Sequence, residues 1–387
     1  AQRPGERALI PLTRAEAVER ALSRGARVPL ARADTLAAAA QLLAARALPN
    51  PALTAQYTKS IPQYHLELEI PLAYPWIRNA RVGSARIAAQ AARLRFGLAR
   101  ASAALDADTV YTLALAARDR SRLSARTAAD ADTLLRLAIA RRDAGDASDL
   151  DVELARVYAG QQSNAAASDS AELRAMLAEL QLAIGLGADS AQPFPVDSLF
   201  APEVADAEVG EPLPLTAASA ALESARLTLA AERRSAWSAL SVVAGFETHD
   251  PEGTEPGILP LFGVVLPLPL LDRNRGAVAL AAAERERASA ELALVRLESR
   301  AGIAAARRER DVALARLARE RSLVVSANRV AAMSLTAYRE GASTLPNVLE
   351  AQRTAREIVA QQVDDLARAW IATATLRVLT LSPSRVP

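Results

Sequence analysis

The chain has 387 residues and a hydrophobic content of 51%, which is enough to bury a core and excludes general disorder. Its formal net charge is only +2 and Lys59 is its sole lysine, so it has no basic stripe and nucleic-acid binding is not expected. The absence of cysteine excludes disulfides, thiol catalysis and cysteine metal sites.

The first half of the chain predicts a helix, a pair of strands and a long helix, in that order. Thr13 is placed to cap the opening helix, with Glu16 as its capping-box partner. Strands are predicted at about Ala52 to Thr58 and about Gln63 to Leu72, and the long helix at about Ile77 to Arg142. At roughly 1.5 Å per residue that helix is on the order of 100 Å long, so it needs packing partners along its length.

A glycine interrupts the helical pattern in each half of the chain. Gly145 lies in RRDAGDASDLDVELAR and Gly341 lies in YREGASTLPNVLEAQR, and the helical pattern resumes soon after each. Glycine suits the left-handed backbone that ends a helix, and Ser148, or Ser343 with Thr344, can cap the returning helix. We therefore predict one helical hairpin in each half.

A spacing of 196 residues relates several landmarks of the two halves. Gly145 and Gly341 are separated by it, and each is followed by valine after seven residues and by alanine after ten. The strand-exit segments IPLAYPWIRNA, from Ile70, and LPLPLLDRNRG, from Leu266, align at the same spacing. Because unrelated landmarks share one offset, the sequence indicates an internal duplication.

The second half repeats the element order of the first. Thr216 opens its helix, strands are predicted at about 236–247 and 258–268, and a long helix at about 273–339. The segment between the halves is rich in proline and acid and predicts an irregular linker. The resulting boundaries are a first structural repeat at 1–190, the linker at 191–212, a second repeat at 213–387, and hairpin tips at about 142–150 and 339–347.

The segment QYHLELEI alternates between apolar and polar residues. Its predicted faces are Tyr64, Leu66, Leu68 and Ile70 on one side, and Gln63, His65, Glu67 and Glu69 on the other. This pattern is typical of a strand between lipid and water, and also of an amphipathic strand on a soluble core. Four strands cannot close a barrel, which needs at least about eight, so strands in a membrane would be shared among several protomers.

Together these features resemble the outer-membrane efflux protein family, the TolC-like channels of Gram-negative tripartite pumps and type I secretion systems. The resemblance rests on the opening LTRAEAVERAL, on LPNPAL before the first strand, on both strand-exit segments and on both glycine turns. The short chain is also similar to the heavy-metal-efflux branch. The resemblance implies a mainly α fold with a β-barrel part, in which a homotrimer forms one barrel of about 12 strands that continues into an α-helical barrel.

The resemblance also implies a function and a location. The chain would be a passive exit duct in the outer membrane of a Gram-negative-type bacterium, with a long periplasmic extension that is gated at the helix tips. Its partners would be a periplasmic adaptor, an inner-membrane pump, outer-membrane lipid and two further copies of itself. The first residues lack the pattern of a signal peptide, so we expect one to be absent or already removed.

Candidate site residues follow from the same resemblance. The tip residues expected to contact the adaptor are Gly145, Asp146, Ala147, Ser148, Gly341, Ala342, Ser343, Thr344 and Leu345. Asp151 and Tyr338 stand where the family places a hydrogen-bonded latch between neighbouring helix pairs. Asn347 and Glu350 stand at its acidic pore ring, where only Glu350 keeps a charge. Some members carry a locking arginine at the position of Ser343, so the closed-state network must differ here.

No catalytic, cofactor or metal site is predicted. His65 and His249 are the only histidines, and neither has the spacing of metal ligands, so each is expected to face water near a strand. Asp151 and Glu350 also fit a solvated helix face. Two alternatives to the duct are a periplasmic adaptor, which the duplicated strand pairs argue against, and a soluble coiled-coil scaffold without a conduit.

Overall fold

The computed structural model describes residues 9–25, 27–60, 62–72, 74–187, 189–203, 211–235, 240–248, 257–266 and 272–382. Its helices are α1 (Arg14–Arg24), α2 (Arg27–Arg46), α3 (Pro75–Asp143), α4 (Asp149–Ala183), α5 (Leu213–Arg234), α6 (Arg275–Arg339) and α7 (Leu345–Leu379). Its strands are β1 (Leu9–Leu12), β2 (Ala52–Tyr57), β3 (Tyr64–Leu72), β4 (Gln192–Pro195), β5 (Leu240–Thr248) and β6 (Leu259–Val265). The fold is mostly helical with a small antiparallel sheet, as the sequence predicts.

The chain divides into two compact units, and each contains segments from both halves of the sequence. One unit comprises Ala1–Pro29, Leu98–Pro212 and Arg300–Pro387, and the other comprises Leu30–Gly97 and Leu213–Ser299. Both predicted hairpin tips therefore lie in the first unit, whereas both strand pairs lie in the second. We call these the tip unit and the sheet unit.

The helix predictions are largely confirmed, with one error at a helix start. Thr13 caps α1 and forms both bonds of the capping box with Glu16. The long helices α3 and α6 extend to within a few residues of the predicted bounds. α5 begins at Leu213, so Thr216 lies inside the helix and does not open it. None of the described helices is long and apolar enough to span a membrane.

In the tip unit, the segment between the two halves contains a short strand that the sequence does not predict. β4 pairs in parallel with β1. The guanidinium of Arg118 donates hydrogen bonds to the carbonyls of Pro195, at 2.7 Å, and Asp197, at 2.8 Å. The prediction of a wholly irregular linker is therefore wrong, because β4 is ordered by partners far away in the sequence.

The sheet unit brings the strand pairs of the two halves together. Its strands are antiparallel in the order β2–β3–β5–β6, and Tyr64 to Leu72 of β3 lie opposite Thr248 to Leu240 of β5. Among the described residues, the outer edges of β2 and β6 have no neighbouring strand. The predicted strand pairs are confirmed, although residues 236–239 and 267–268 of the predicted strands lie outside the described residues.

The alternation predicted for β3 is confirmed by which side chains are exposed. Tyr64, Leu68 and Ile70 are exposed, whereas His65 and Glu67 on the opposite face are partly covered. The exposed apolar face continues across the sheet, because Leu68 lies opposite Leu53 of β2, and because β5 residue Ala244, also opposite Leu68, pairs with Phe262 of β6. An apolar surface of this kind needs lipid or protein to cover it.

The contact between β3 and β5 requires a glycine at one position. A Cβ on Gly245 would lie 2.4 Å from the carbonyl oxygen of Leu66, which is backbone and cannot turn away. We predict that Gly245→Ala lowers the free energy of unfolding by about 1–3 kcal/mol. Gly263→Ala is the control, since its Cβ would have its nearest neighbour, Val243 Cβ, at 3.8 Å. Equal losses of thermal stability in the two variants would contradict this prediction.

Candidate functional site

The tip of the first hairpin is a glycine turn that closes α3 with two backbone hydrogen bonds. Gly145 adopts φ +86°, and its N–H donates to the carbonyl of Arg142 at 2.9 Å. The N–H of Asp146 donates to the carbonyl of Arg141 at 2.8 Å, which completes a Schellman motif. A Cβ at Gly145 would meet no atom within 4 Å, so the backbone angle alone explains the glycine.

The tip of the second hairpin repeats this turn at the end of α6. Gly341 adopts φ +78° and donates to the carbonyl of Tyr338 at 3.1 Å, while Ala342 donates to the carbonyl of Ala337 at 2.8 Å. The duplication inferred from the sequence therefore extends to individual backbone hydrogen bonds. Both glycine turns lie where the sequence predicts them.

The two returning helices begin with different caps. The Ser148 hydroxyl accepts the N–H of Asp151 at 3.2 Å, and the Asp151 carboxylate accepts the N–H of Ser148 at 3.1 Å. Thr344 occupies the corresponding position of α7 without a side-chain hydrogen bond, and Pro346 lies in the first turn of that helix. The predicted side-chain cap is thus confirmed at Ser148 and is wrong at Thr344.

A hydrophobic core lies directly behind the two turns and joins all four helices of the tips. Its fully buried members are Leu134, Ala138, Val152, Ala155, Tyr338, Leu345 and Val348. The valines that follow the two glycines at equal spacing therefore pack in one core. Leu345 is only 1% exposed, so its side chain belongs to this core, and its predicted contact with a partner protein stays a prediction. The other predicted tip residues are exposed or half-buried.

An arginine that the sequence analysis missed connects the two tips. The Arg141 guanidinium lies over the ring of Tyr338, with Cζ 4.6 Å from the ring centroid, and also donates to the Tyr338 carbonyl. A second donor of the same guanidinium reaches the carbonyl of Asp146 at 3.3 Å. The 196-residue offset aligns Arg141 with Ala337. The difference between arginine and alanine at these equivalent positions is the feature of the sequence that could have identified Arg141.

The predicted latch residues are not hydrogen bonded to each other within one protomer. Asp151 uses its carboxylate to cap α4, and the buried Tyr338 hydroxyl has no hydrogen-bond partner among the described residues. Burial raises the pKa of the Tyr338 phenol, the Arg141 charge opposes the increase, and the Asp151 charge adds to it. Their role as a latch between neighbouring helix pairs stays a prediction.

The predicted pore residues lie on the exposed side of α7. Asn347 and Glu350 are both exposed and are three residues apart, so they share one face of the helix. Beyond them, the Arg353 guanidinium donates to Glu357 at 2.8 Å. The bond to Glu357 raises the pKa of Arg353, and the charge of Glu350 contributes to the increase. The threefold acidic ring also stays a prediction.

An exposed apolar stripe begins at the first tip and runs along α4. Leu150, Leu154 and Val157 recur at helical spacing and are all exposed. Beside the stripe, a groove of about 620 Å³ between α4 and α7 is lined by Leu154 together with Pro346 and Leu349. The tips thus present an apolar surface next to the charged side chains of α7.

His65 is the histidine that lies within the described residues. His65 Nδ1 lies 3.1 Å from Glu247 Oε1, and its Nε2 lies 3.3 Å from the Thr58 hydroxyl. The sequence analysis expected His65 to face water near a strand. The structure instead pairs it with the neighbouring side chains of Glu247 and Thr58. His249 lies outside the described residues. In the described part of the chain, no three His, Cys, Asp or Glu side chains cluster to hold a metal ion.

Comparison with known proteins identifies similar folds. No protein-family model and no curated protein matches the sequence. A membrane protein from Pseudomonas aeruginosa is 20% identical with a TM-score of 0.78, over 95% of this chain and 93% of that chain. The outer membrane protein VceC of Vibrio cholerae is 16% identical with a TM-score of 0.75, over 95% of each chain. The Campylobacter jejuni CmeC outer membrane channel is 13% identical with a TM-score of 0.77, over 95% of this chain and 85% of that chain.

The matching caps of the two hairpins allow a direct comparison within one molecule. We predict that Ser148→Ala lowers the free energy of unfolding by about 1 kcal/mol, because it removes the side-chain cap of α4. Thr344→Ala should change stability little, since Thr344 makes no such bond. Hydrogen exchange of the first amides of α4 and α7 measures both effects, and faster exchange in α7 of the Thr344 variant would contradict the assignment.

We also predict that Arg141→Ala loosens the contact between the two tips. The variant loses the stacking on Tyr338 and the bonds to two carbonyls, at a cost of about 1–2 kcal/mol. Arg142→Ala is the matched control, because in the described part of the chain the Arg142 guanidinium forms its ion pairs with Asp143 and Asp149 of the same hairpin. Hydrogen exchange across both tips should increase in the first variant only.

The long alignments, the paired hairpins and the small antiparallel sheet agree with one another. The TM-scores of 0.75 to 0.78, over 95% of this chain, establish its architecture. This chain has the fold of outer-membrane channel proteins.

Proposed function

We propose that three copies of this chain form an outer-membrane exit duct of a tripartite efflux or secretion system. The observation that carries the proposal is a four-stranded sheet that has one exposed apolar face and, among the described residues, no partner strand at either edge. Similarity of fold to outer-membrane channels supports it. The duct conducts passively, and the substrate is selected by an inner-membrane pump.

The sheet favours closure by identical copies. Unpaired backbone groups along β2 and β6 cannot remain unsatisfied in lipid, so the edges of neighbouring copies have to pair. Phe262, which is 82% exposed, and Leu53, which is 67% exposed, lie on the apolar face and suit contact with lipid. Glu67 and Glu69 lie on the other face, which would line the water-filled interior.

The tips are proposed as the gate and as the surface that meets a periplasmic adaptor. The exposed residues of the two glycine turns and the apolar stripe of α4 supply the contact surface. Arg141 joins the two hairpins of one protomer, so opening would separate protomers and leave each hairpin pair intact. Asp151 and Tyr338 would form the latch between neighbouring pairs, and Asn347 and Glu350 would line the narrowest ring.

The proposal is tested by the assembly and conductance of the purified full-length protein. In detergent we expect a particle of three chains, and in a planar bilayer we expect single-channel currents. A folded protein that is monodisperse in buffer without detergent, and that gives no current, would support a soluble scaffold and overturn the duct. In this proposal the pump, and not the duct, determines which substrates are exported. The sequence contains only two histidines, two methionines and no cysteine, so it gives no evidence of a relay of metal ligands for the heavy metals that the short chain suggests.

The acidic ring gives a separate prediction. Glu350→Gln should reduce the cation preference of the channel, because it removes one carboxylate per chain from the narrow end. Glu153→Gln is the control, since Glu153 is exposed on α4 and paired with Arg156 at 2.9 Å. Reversal potentials in a salt gradient report both variants. Unchanged selectivity in Glu350→Gln would show that Glu350 does not line the narrow part of the pore. It would not contradict the proposal that the protein is a duct.

A further inference from the structure

Two carboxyl groups are buried against each other between α6 and α7 of the tip unit. Asp365 is 1% exposed and Glu320 is 8% exposed. Asp365 Oδ1 lies 3.6 Å from Arg316 and 3.5 Å from Arg368. The remaining oxygens, Asp365 Oδ2 and Glu320 Oε2, receive no hydrogen bond from the described residues. Arg316 reaches Asp365 across the two helices and lies one helical turn before Glu320, so Glu320 is on the side of α6 that faces Asp365. A side-chain hydrogen bond between the two carboxyls is one cause that raises the pKa of Glu320.

Such a bond requires a proton, because two ionised carboxylates can only accept. If both were charged, two buried oxygens would lack donors and would also repel each other. One shared proton supplies the donor and removes the repulsion. We infer that Glu320 and Asp365 form a proton-binding site in which one shared proton holds α6 against α7.

Among the described residues, three nearby arginines, Arg120, Arg316 and Arg368, form ion pairs with other oxygens. The charged groups near the pair on the packed helices are Arg120 of α3, Glu172 of α4, Arg316 and Arg319 of α6, and Asp364 and Arg368 of α7. Arg120 is held by Asp364 at 2.8 Å and Glu172 at 3.2 Å. Arg316 and Arg368 bind the other oxygen of Asp365.

The first half of the chain shows that the fold does not require a carboxyl at this position. The 196-residue offset aligns Glu320 with Ser124, and it aligns Arg316 with Arg120. Ser124 is buried as well, but its hydroxyl donates to backbone carbonyls of its own helix, at 3.1 Å to Arg120 and 3.2 Å to Ser121. The carboxyl pair is therefore a feature of the second hairpin alone, and a neutral side chain can fill the position.

The direction of the pH dependence follows from the protonated state. Burial raises the pKa of Glu320, and the adjacent charge of Asp365 raises it further. The folded protein thus holds this proton at pH values where an unfolded chain would have released it. Stability from the pair is present in acid and is lost as the pH rises from the usual glutamate pKa through the folded value. Contact between α6 and α7 should loosen in the same direction.

The test is hydrogen exchange of the full-length protein between about pH 5 and about pH 8, corrected for the intrinsic rate. For amides of α6 and α7 near the pair, the opening constant should rise with pH, by at most about tenfold per unit for one proton. In Glu320→Gln the amide donates to Asp365 at every pH, so this dependence should disappear. Glu320→Ser, which introduces the residue found at the equivalent position of the first half, should also abolish it. Glu309→Gln, exposed on the same helix, should retain it.

Infrared spectroscopy supplies a second readout that does not depend on stability. The C=O stretch of a protonated carboxyl should be present in the wild type at mildly acidic pH and absent from Glu320→Gln. If Glu320→Gln failed to fold, Asp365→Asn would replace it, with the same expected loss. An unchanged carboxyl band, equal pH dependence in wild type and Glu320→Gln, or protection that follows cation concentration at constant pH would overturn the proton site. None of these outcomes bears on whether the chain forms a duct.

Discussion

The requirement that backbone N–H and C=O groups be paired governs both units of this molecule. At the tips the requirement is met within the chain, by the glycine turns, by the capping box of Ser148 and by the carbonyl contacts of Arg141. In the sheet it is met between β3 and β5, whereas the described outer edges of β2 and β6 have no partner strand. The backbone groups of the tips are thus paired within one copy, whereas the described edges of the sheet have unpaired backbone groups.

The same order of elements and the same glycine turn recur in both halves of the chain, and a few unequal positions give the two hairpins different side-chain contacts. Arg141 aligns with Ala337, so only one hairpin carries the arginine that joins the tips. Ser148 caps its helix with a side chain, whereas Thr344 does not. Such differences change the side-chain contacts of a hairpin but leave its backbone turn unchanged. The 196-residue spacing between equivalent positions is therefore kept although the contacts differ.

The same divergence explains why the buried acids occur only once. Serine and glutamate occupy equivalent positions on α3 and α6, but only the glutamate faces a second buried carboxyl. A serine satisfies its hydroxyl on its own helix, so it adds no dependence on pH. A glutamate beside Asp365 needs a proton, so the packing of the second hairpin becomes linked to pH. A single side chain separates these two behaviours.

The sequence by itself determined the long helices, both glycine turns and the strand pairs, because each depends on local periodicity or on the backbone freedom of glycine. It also determined that Asp151, Tyr338 and Glu350 lie near the tips, since their distance from the turns is short. Only the tertiary structure decided that β1 pairs with β4, that Leu345 is buried, that Arg141 spans the tips and that Glu320 meets Asp365. These contacts join residues remote in sequence, and no local pattern encodes which side chains will meet across packed helices.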